Sequence, residues 1–360
     1  MTEVSGLIAT GTMSESAAAA ERALAEHGGV GASLALMVDD DLVLATGVGR
    51  RDPARPDPPS PEDEFHVYSV GKTVIACAAM RLAEQGALDL DAPIARVLPG
   101  LGLPEAVTLR RLLNHTAGVP DYSRLHAYHD AVRDRPERPW SASEFLALTL
   151  GQQQVGPVGT FAYSNIGYLL VRLAMERVTD LPLGEVLRTE VFAPMGAHHL
   201  RLASCLDDVA GLAPGWSRAF GDGCMLVNVA QRYHPGWVAH GAVVGRAADV
   251  ARTLDGLVAG RLVGPASLAA MLVAVPVEGP HWLFQPPGYG LGLMTDHARS
   301  DRCLVGHGGA GPGYATGALC FLPEAGPRTT AVVLSNTDEH PDLGLRLAWS
   351  LIEGCRIAGP

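Results

Sequence analysis

The chain contains the stretch Val67-Tyr68-Ser69-Val70-Gly71-Lys72-Thr73, and an apolar run rich in alanine follows it over 74–82. A short polar turn that opens into such a run predicts the start of a buried helix. Ser69 and Lys72 are three residues apart, so one helical turn places both side chains on one face. A serine hydroxyl needs a base beside it to act as a nucleophile at neutral pH, and an amine can serve. The pattern alone also fits a helix-capping serine with an exposed lysine, so it needs support from elsewhere.

The composition is that of a folded globular protein, because 48% of the 360 residues are apolar and 18% are charged. Lys and Arg number 27 against 38 Asp and Glu, a formal net charge of −11, and no basic stripe is concentrated anywhere. Nucleic acid is therefore not an expected partner. Residues 1–11 show no signal-peptide pattern and no long uncharged apolar run occurs, so we expect no membrane span. Six cysteines without C-x-x-C spacing predict reduced thiols in a cytoplasmic protein.

The hydrophobic pattern divides the chain into strand-rich ends and a helical middle. Strands are predicted over 32–38, 42–48, 291–295, 303–305, 316–321 and 330–334. Helices are predicted over 14–27, 108–116, 166–178, 183–192, 247–259, 265–273 and 343–355, with a polar loop over 122–139 and an irregular segment over 204–240.

This division predicts an α+β fold in which one antiparallel sheet is flanked by helices. Residues 1–68 and 285–360 would form the sheet lobe, and residues 69–284 would form a mainly helical lobe. A cleft between two such lobes is a usual ligand site. Ser69 lies where the chain first crosses from one lobe to the other.

Two further stretches carry residues suited to chemistry. The first reads Gly159-Thr160-Phe161-Ala162-Tyr163-Ser164-Asn165-Ile166-Gly167-Tyr168. The second reads Gly306-His307-Gly308-Gly309-Ala310-Gly311-Pro312-Gly313-Tyr314 and is predicted to be a glycine-rich turn after a strand. Both stretches are distant from Ser69 along the chain, so only tertiary folding could bring them beside it.

Taken together, these stretches resemble the penicillin-recognising serine enzymes, in the branch with class C β-lactamases, D-alanyl-D-alanine carboxypeptidases, D-aminopeptidases and family VIII carboxylesterases. The three motifs of that family are matched by Ser69-Val70-Gly71-Lys72, by Tyr163-Ser164-Asn165 and by His307-Gly308-Gly309. Segments 88–91, 112–118 and 312–314 also fit. The resemblance covers most of the chain and implies a β-lactamase-like fold.

The resemblance implies a serine hydrolase that works through an acyl group on Ser69. Lys72 and Tyr163 would share the role of base, which requires each pKa to fall by about three units. A buried lysine cation beside a phenol is expected to lower the pKa of the phenol. Asn165 would hydrogen-bond Lys72 or the substrate.

The resemblance also assigns a substrate-binding role to the third motif. Backbone N–H groups of Ser69 and Ala310 would hold the oxyanion, and Gly308 and Gly309 would let the backbone approach closely. His307 replaces the lysine that lactamases use to hold a carboxylate, and Gly308 offers no hydroxyl. Both changes favour substrates without a free carboxylate.

We therefore expect a small-molecule ester, thioester or amide as substrate, and carboxylesterase activity as the leading function. The alternatives are an acyltransferase, or a peptide-processing enzyme such as a D-amino-acid amidase, a peptidase or a transpeptidase-like cyclase. A β-lactamase or D,D-carboxypeptidase is less favoured. A protein that kept the motifs as a sensor or scaffold without turnover is the non-enzymatic alternative.

Other residues have a weaker functional interpretation. His126, His129 and Asp130 have helical spacing but no third ligand is indicated, so neither metal nor cofactor is expected. Four arginines over 122–139 are typical of a solvated loop, or could bind the phosphopantetheine of an acyl carrier protein. The aromatic residues that could line an acyl pocket, or pack in the core, are Trp216, Tyr233, Trp237, Trp282 and Phe284.

Overall fold

A computed structural model of the protein describes residues 10–152, 156–220, 223–296 and 302–357. The strands, in chain order, are β1 (Gly31–Val38), β2 (Asp41–Gly49), β3 (Phe65–His66), β4 (Arg201–Ala203), β5 (Trp216–Ser217), β6 (Val227–Asn228), β7 (Ala242–Gly245), β8 (Val275–Pro276), β9 (Pro287–Tyr289), β10 (Met294–Asp296), β11 (Arg302–Gly311), β12 (Tyr314–Pro323) and β13 (Thr329–Ser335). The helices are α1 (Thr10–Glu26), α2 (Gly71–Glu84), α3 (Leu109–Leu113), α4 (His126–Asp134), α5 (Ala142–Leu150), α6 (Asn165–Thr179), α7 (Leu183–Leu187), α8 (Ala247–Val258), α9 (Pro265–Leu272) and α10 (Leu343–Ile357).

Eight strands form one antiparallel sheet in the order β2-β1-β13-β12-β11-β10-β9-β8. Helices α1 and α10 pack together, and α10 contacts β12 and β13, while α8 contacts β1 and β13. Strand β1 is buried along almost its whole length. A strand covered on both faces shows a continuous apolar run instead of an alternating one, which explains the sequence of β1.

The helices between β3 and β4 build a second core around α2. Every residue of α2 from Gly71 to Leu82 except Arg81 is buried, and α2 packs against α6 and α7. A helix that is apolar all round is stable only when other elements enclose it. Because α2 is enclosed in this way, Lys72 is fully buried.

The predicted elements are largely present, although helix α5 and the short strands β3 to β8 were not predicted, and three further differences are informative. The stretch predicted as a loop over 122–139 contains a 3₁₀ turn (Tyr122–Arg124) and helix α4. No residue of α4 is fully buried, and only Tyr128, Ala131 and Val132 pack against the core. This narrow apolar stripe explains why the polar composition indicated a loop.

The second difference concerns the glycine-rich segment, which was predicted as a turn. Residues from Gly306 to Gly311 continue β11 and pair with β12 as far as the Gly311–Tyr314 register. Ladder pairing with β12 overrides the weak strand propensity of glycine here. Third, β9 was not predicted, and the strand predicted over 291–295 is the shorter β10.

Several predictions about the whole chain concern its ends and its thiols. The stretch over 1–11 that showed no signal-peptide pattern lies almost entirely outside the described residues. None of the six cysteines is in a disulfide. Across the described ranges, no helix combines the length and the apolar character needed to cross a membrane. The division into lobes at residues 68 and 285 stays a prediction.

Candidate active site

Ser69 lies in a 3₁₀ turn (Tyr68–Val70) that leads directly into α2. The preceding residue, Tyr68, has a positive φ of 44°, a conformation that is uncommon for a bulky residue. It is held there because its hydroxyl donates to the carbonyl of Pro312 at 2.7 Å. The hydroxyl of Thr316 also donates to the carbonyl of Val67 at 3.0 Å. Contacts from β12 and the turn before it therefore fix the position of Ser69.

Two side chains donate hydrogen bonds to the Ser69 hydroxyl. Lys72 Nζ lies 3.0 Å from Ser69 Oγ, and the hydroxyl of Tyr163 lies 3.0 Å from the same atom. Lys72 Nζ also donates to Asn165 Oδ1 at 2.8 Å. The structure thus brings together the residues of the first and second sequence motifs.

The start of α6 positions the second motif. Ser164 is the N-cap residue, and its hydroxyl accepts from the backbone N–H of Gly167 at 3.2 Å and donates to the carbonyl of Pro120 at 2.7 Å. Asp121 accepts from the backbone N–H of Asn165 at 2.8 Å and from its side-chain amide at 3.2 Å. These contacts orient the amide oxygen of Asn165 towards Lys72.

The environment of Lys72 favours the neutral amine. Burial lowers the pKa of Lys72 to about 7, against a smaller opposing effect of Asp121, whose negative charge raises this pKa. Near neutral pH a substantial fraction of Lys72 is therefore unprotonated. An unprotonated amine 3.0 Å from a serine hydroxyl can accept its proton.

The environment of Tyr163 has the opposite effect. Burial raises the pKa of Tyr163 well above its usual value, the hydrogen bond to Ser69 lowers it, and Asp121 raises it further. The neighbouring lysine cation was predicted to lower this pKa, but the loss of solvation on burial dominates. The phenol therefore stays protonated at neutral pH and is suited to donate a proton.

His307 is buried on β11 and both of its ring nitrogens are engaged. Nδ1 lies 2.5 Å from the carbonyl of Gly308, and Nε2 lies 2.9 Å from the hydroxyl of Tyr289. Burial, with the nearby Lys72, lowers the pKa of His307 to about 3, so the ring is neutral. It then donates through Nδ1 and accepts from Tyr289 at Nε2, which leaves no donor for a substrate.

Gly308 and Gly309 face opposite sides of β11. A Cβ built on Gly309 would lie 2.6 Å from the carbonyl of Val67 and 3.1 Å from the backbone nitrogen of Ser69. A Cβ built on Gly308 would lie 2.9 Å from Leu345 Cδ1 on α10. Glycine at 309 is therefore what allows β11 to approach Ser69, whereas a side chain at 308 would meet α10 first.

Ser69 opens onto a cavity of about 290 Å³. Ala310 also lines this cavity. Two of the five aromatic residues predicted as pocket candidates, Tyr233 and Trp237, also line it, whereas Trp216, Trp282 and Phe284 do not. In the part of the chain that the structure describes, no Asp, Glu, Lys or Arg side chain lines this cavity.

The other candidates from the sequence lie outside this cavity. Arg133 pairs with Asp130 and Asp134, and Arg138 pairs with Glu137, all largely exposed. His129 contacts the carbonyl of Ser123. Within the described ranges, no three His, Cys, Asp or Glu side chains are placed to hold a metal ion.

The sequence did not indicate three residues that contact Lys72, Asn165 or His307. His240 Nε2 lies 3.5 Å from Lys72 Nζ, Asp121 holds Asn165, and Tyr289 bonds His307. None of the three belongs to a motif that was recognised. Only the tertiary fold brings them to the site, so spacing along the chain held no signal for them.

Comparison with known proteins agrees with this geometry. Penicillin-binding protein 4 of Amycolatopsis lactamdurans is 30% identical over 295 residues, which cover 74% of this chain and 71% of that protein. Penicillin-binding protein 4* of Bacillus subtilis is 24% identical over 292 residues, which cover 77% of this chain but only 62% of that protein. A D-amino acid amidase of Ochrobactrum anthropi, solved with D-phenylalanine, superposes with a TM-score of 0.81 at 23% identity over 97% of this chain and 100% of that chain.

Fold, motifs and relatives together define a serine penicillin-recognising protein. Residues 17–353 match the family described as Beta-lactamase, and the chain belongs to that family. The family and the β-lactamase-like α+β fold predicted from the sequence are confirmed, and the predicted class of serine hydrolase agrees with them.

Proposed function

We propose that the protein is a serine hydrolase that forms an acyl-enzyme on Ser69. The observation that carries this proposal is the Ser69 hydroxyl, whose oxygen lies 3.0 Å from both Lys72 Nζ and the Tyr163 hydroxyl at the edge of an open cavity. Nucleophile and base within hydrogen-bond reach, with a third group orienting the base, is the arrangement that activates a serine. Asn165 is that third group.

The proton inventory follows from the two pKa directions. Neutral Lys72 takes the hydroxyl proton as Ser69 Oγ bonds to the acyl carbon of the substrate. The oxyanion that forms is held by the backbone N–H groups of Ser69 and Ala310. Tyr163, protonated at neutral pH, gives its proton to the leaving alcohol as the bond between acyl carbon and leaving oxygen breaks. Proton transfer from Lys72 to Tyr163 then restores the phenol.

Water completes the cycle by attacking the Ser69 ester. The same base takes a proton from the water molecule, and Ser69 leaves with a proton returned to its oxygen. An amine or alcohol that replaced the water would give transfer instead of hydrolysis. The chemistry on Ser69 is the same in both cases.

The leading substrate is a neutral ester without a free carboxylate. No charged side chain of a described residue lines the cavity, and His307 has no donor left for an anion. A substrate carboxylate would lose its hydration without gaining a partner, which is costly. The aromatic lining suits an apolar acyl group.

A D-amino-acid amidase is the second candidate, because a D-amino acid amidase from Ochrobactrum anthropi shares the fold. An amino-acid amide carries an ammonium group that requires an acidic partner. Asp121 is the nearby carboxylate, and it already accepts from the backbone and side chain of Asn165. Because Asp121 is already hydrogen-bonded to Asn165, we rank the ester ahead of the amino-acid amide as substrate.

Transfer to an acyl carrier protein has less support. Two of the arginines that could bind its phosphopantetheine, Arg133 and Arg138, pair with acids beside them. The cytoplasmic location predicted from the sequence remains part of this proposal. The catalytic steps described for an ester apply equally to a thioester substrate.

Mass spectrometry of the intact protein after fluorophosphonate treatment tests the proposal. One adduct is expected on the wild type and none on Ser69→Ala. Turnover of p-nitrophenyl butyrate should likewise disappear in Ser69→Ala. An inert Ser69 in the folded wild type would support the scaffold alternative.

Parallel assays on one preparation rank the substrates. We expect kcat/KM to be highest for p-nitrophenyl butyrate, lower for D-phenylalanine amide and lowest for nitrocefin, because only the ester is free of charge. A single charge-assisted hydrogen bond is worth about 1.5–3 kcal/mol, so the missing carboxylate partner should cost nitrocefin at least about tenfold. Nitrocefin as the best substrate would replace the esterase proposal with a lactamase.

A further inference from the structure

His240 is a second imidazole at the site that the mechanism above does not use. It lies just before β7, is buried, and lines the cavity beside Ser69. Its Nε2 is 3.5 Å from Lys72 Nζ. This contact is the longest of the three that Lys72 Nζ makes, after Asn165 at 2.8 Å and Ser69 at 3.0 Å.

The three contacts of Lys72 differ in what they can accept and donate. The carbonyl oxygen of Asn165 only accepts, and a neutral imidazole accepts at its unprotonated nitrogen. A neutral amine has two N–H bonds and one lone pair. If Asn165 and His240 each accept one N–H, the lone pair has a single remaining direction, which is towards the hydroxyl of Ser69.

We propose that His240 is a positioning residue that accepts one N–H of Lys72 and so directs the lone pair of Lys72 to Ser69. The inference rests on the proposed acyl-enzyme function and adds to it the residue that orients the base. This role uses only residues that are already present at the site. The proton of Ser69 still moves to Lys72, and His240 neither gains nor loses a proton.

A second observation supports this role. When Nε2 accepts, the ring proton is on Nδ1, and Nδ1 is buried with no hydrogen-bond partner among the residues the structure describes. A buried donor without a partner destabilises the folded protein. Burial of His240 with this nitrogen unpaired therefore costs stability, and the contact with Lys72 is the polar interaction described for its ring, beside the edge-on packing against Tyr168.

The charges around the pair keep the imidazole neutral. Burial lowers the pKa of His240 well below its usual value, and the nearest cations, first Lys72, act in the same direction. The groups that face Lys72 or His240 from the elements packed on them are Asp121, His115, His307, Arg172, Tyr163 and Tyr168.

Two substitutions distinguish positioning from packing. His240→Leu keeps an apolar side chain of similar size without an acceptor, and His240→Gln restores an acceptor oxygen. We expect His240→Leu to lower the rate of Ser69 acylation by a fluorophosphonate at least about tenfold, the value of one oriented hydrogen bond. His240→Gln should recover most of that rate. Neither variant should melt below the wild type.

The pH dependence of the Ser69 acylation rate provides a second measurement, which should not change if His240 acts only through packing. An acceptor stabilises a charged donor more than a neutral one, so its loss should lower the pKa of Lys72. The acidic limb of the acylation rate should therefore move to lower pH in His240→Leu and stay in place in His240→Gln. His129→Leu serves as the control, because it removes a histidine that contacts the carbonyl of Ser123 and lies outside the cavity.

The outcomes separate this inference from the proposed function. A wild type that forms no Ser69 adduct would contradict the proposed function itself. A reactive wild type with an unchanged rate and limb in His240→Leu would overturn the role of His240. Equal losses in His240→Leu and His240→Gln, with lowered melting temperatures in both, would show that His240 acts through packing and would also overturn it.

Discussion

Lys72 is the residue whose ionisation decides when Ser69 can react. Its pKa near 7 means that the amine loses its proton as the pH rises through neutrality. We expect kcat/KM for p-nitrophenyl butyrate to fall about tenfold per pH unit below that pKa and to level off above it. Initial rates between pH 5 and 9, corrected for spontaneous hydrolysis, measure this limb. A flat profile through pH 7 would contradict the assignment of Lys72 as base.

The same pKa shift has a consequence for stability. The folded-state pKa of Lys72 lies below the value of about 10.4 expected for the unfolded chain. Between pH 7 and 10 the unfolded state therefore binds more protons, and the contribution of Lys72 makes the free energy of unfolding rise with pH. We expect Lys72→Met to be inactive, to be more stable than the wild type at pH 7, and to lose this part of the pH dependence in urea unfolding.

Tyr163 gives a prediction with a matched control. Tyr163→Phe removes the hydroxyl that donates to Ser69 and should lower kcat by about 10²–10⁴, the usual value of a positioned acid or base. Tyr122→Phe removes a hydroxyl from the same cavity that bonds the backbone of Ala239, and kcat should change little. Steady-state kinetics on both variants would refute the proton-donor role if the losses were equal.

At the scale of elements, β11 is where a small change reaches Ser69. Gly309→Ala places a methyl group 2.6 Å from the carbonyl of Val67 and 3.1 Å from the nitrogen of Ser69, so the 3₁₀ turn must move. A misplacement of about 1 Å can cost about a hundredfold in rate. We therefore expect kcat of Gly309→Ala to fall by up to about a hundredfold. Steady-state kinetics measure this loss, and melting curves show whether the variant is folded.

The neighbouring position is the control for that experiment. Gly308→Ala directs its methyl group to Leu345 on α10, on the other face of β11. It should destabilise by about 1–3 kcal/mol through overpacking and leave kcat within about threefold of the wild type. Equal kinetic losses for both variants would show that β11 transmits strain as one unit and that the two faces are not independent.

The sequence could predict the geometry of residues that lie close together along the chain, but not of residues that meet only through folding. Ser69 with Lys72, and Tyr163 with Asn165, are close in sequence and lie at the start of helices, so their spacing predicts their geometry. The glycines over 306–311 indicated a turn because glycine is common in turns. Strand pairing with β12 decides otherwise, and pairing partners are distant in sequence.

The residues that tune the site had no such local signal. His240 and Asp121 reach Lys72 and Asn165 across gaps of 168 and 44 residues, so only the packed fold reveals them. The pKa of Tyr163 was predicted in the wrong direction for a related reason. Sequence showed the neighbouring cation, but the extent of burial, which dominates the shift, depends on the whole fold.

At the scale of the whole molecule, one buried carboxylate ties α8 to the sheet. Asp255 on α8 is fully buried and accepts from Arg328 at 2.8 and 3.0 Å, from Arg261 at 3.0 Å and from Thr330 on β13 at 3.0 Å. Helix α8 begins just after β7, the strand that follows His240. This link therefore fixes the helix that follows β7 against β13.

Removing that carboxylate should separate stability from catalysis. Asp255→Ala removes the buried partner of Arg328 and Arg261, and because both guanidinium groups still pair with Asp40 the loss should lie at or below the lower end of the about 3–5 kcal/mol typical of breaking a buried pair. The exposed pair of Asp91 and Arg110 is the matched control, since Asp91→Ala should cost less than about 1 kcal/mol. Urea unfolding gives both values. The kcat of folded Asp255→Ala should stay near that of the wild type, because the described hydrogen-bond partners of Asp255 all lie outside the site. A large fall in kcat at full folding would show that the position of α8 controls the geometry at Ser69.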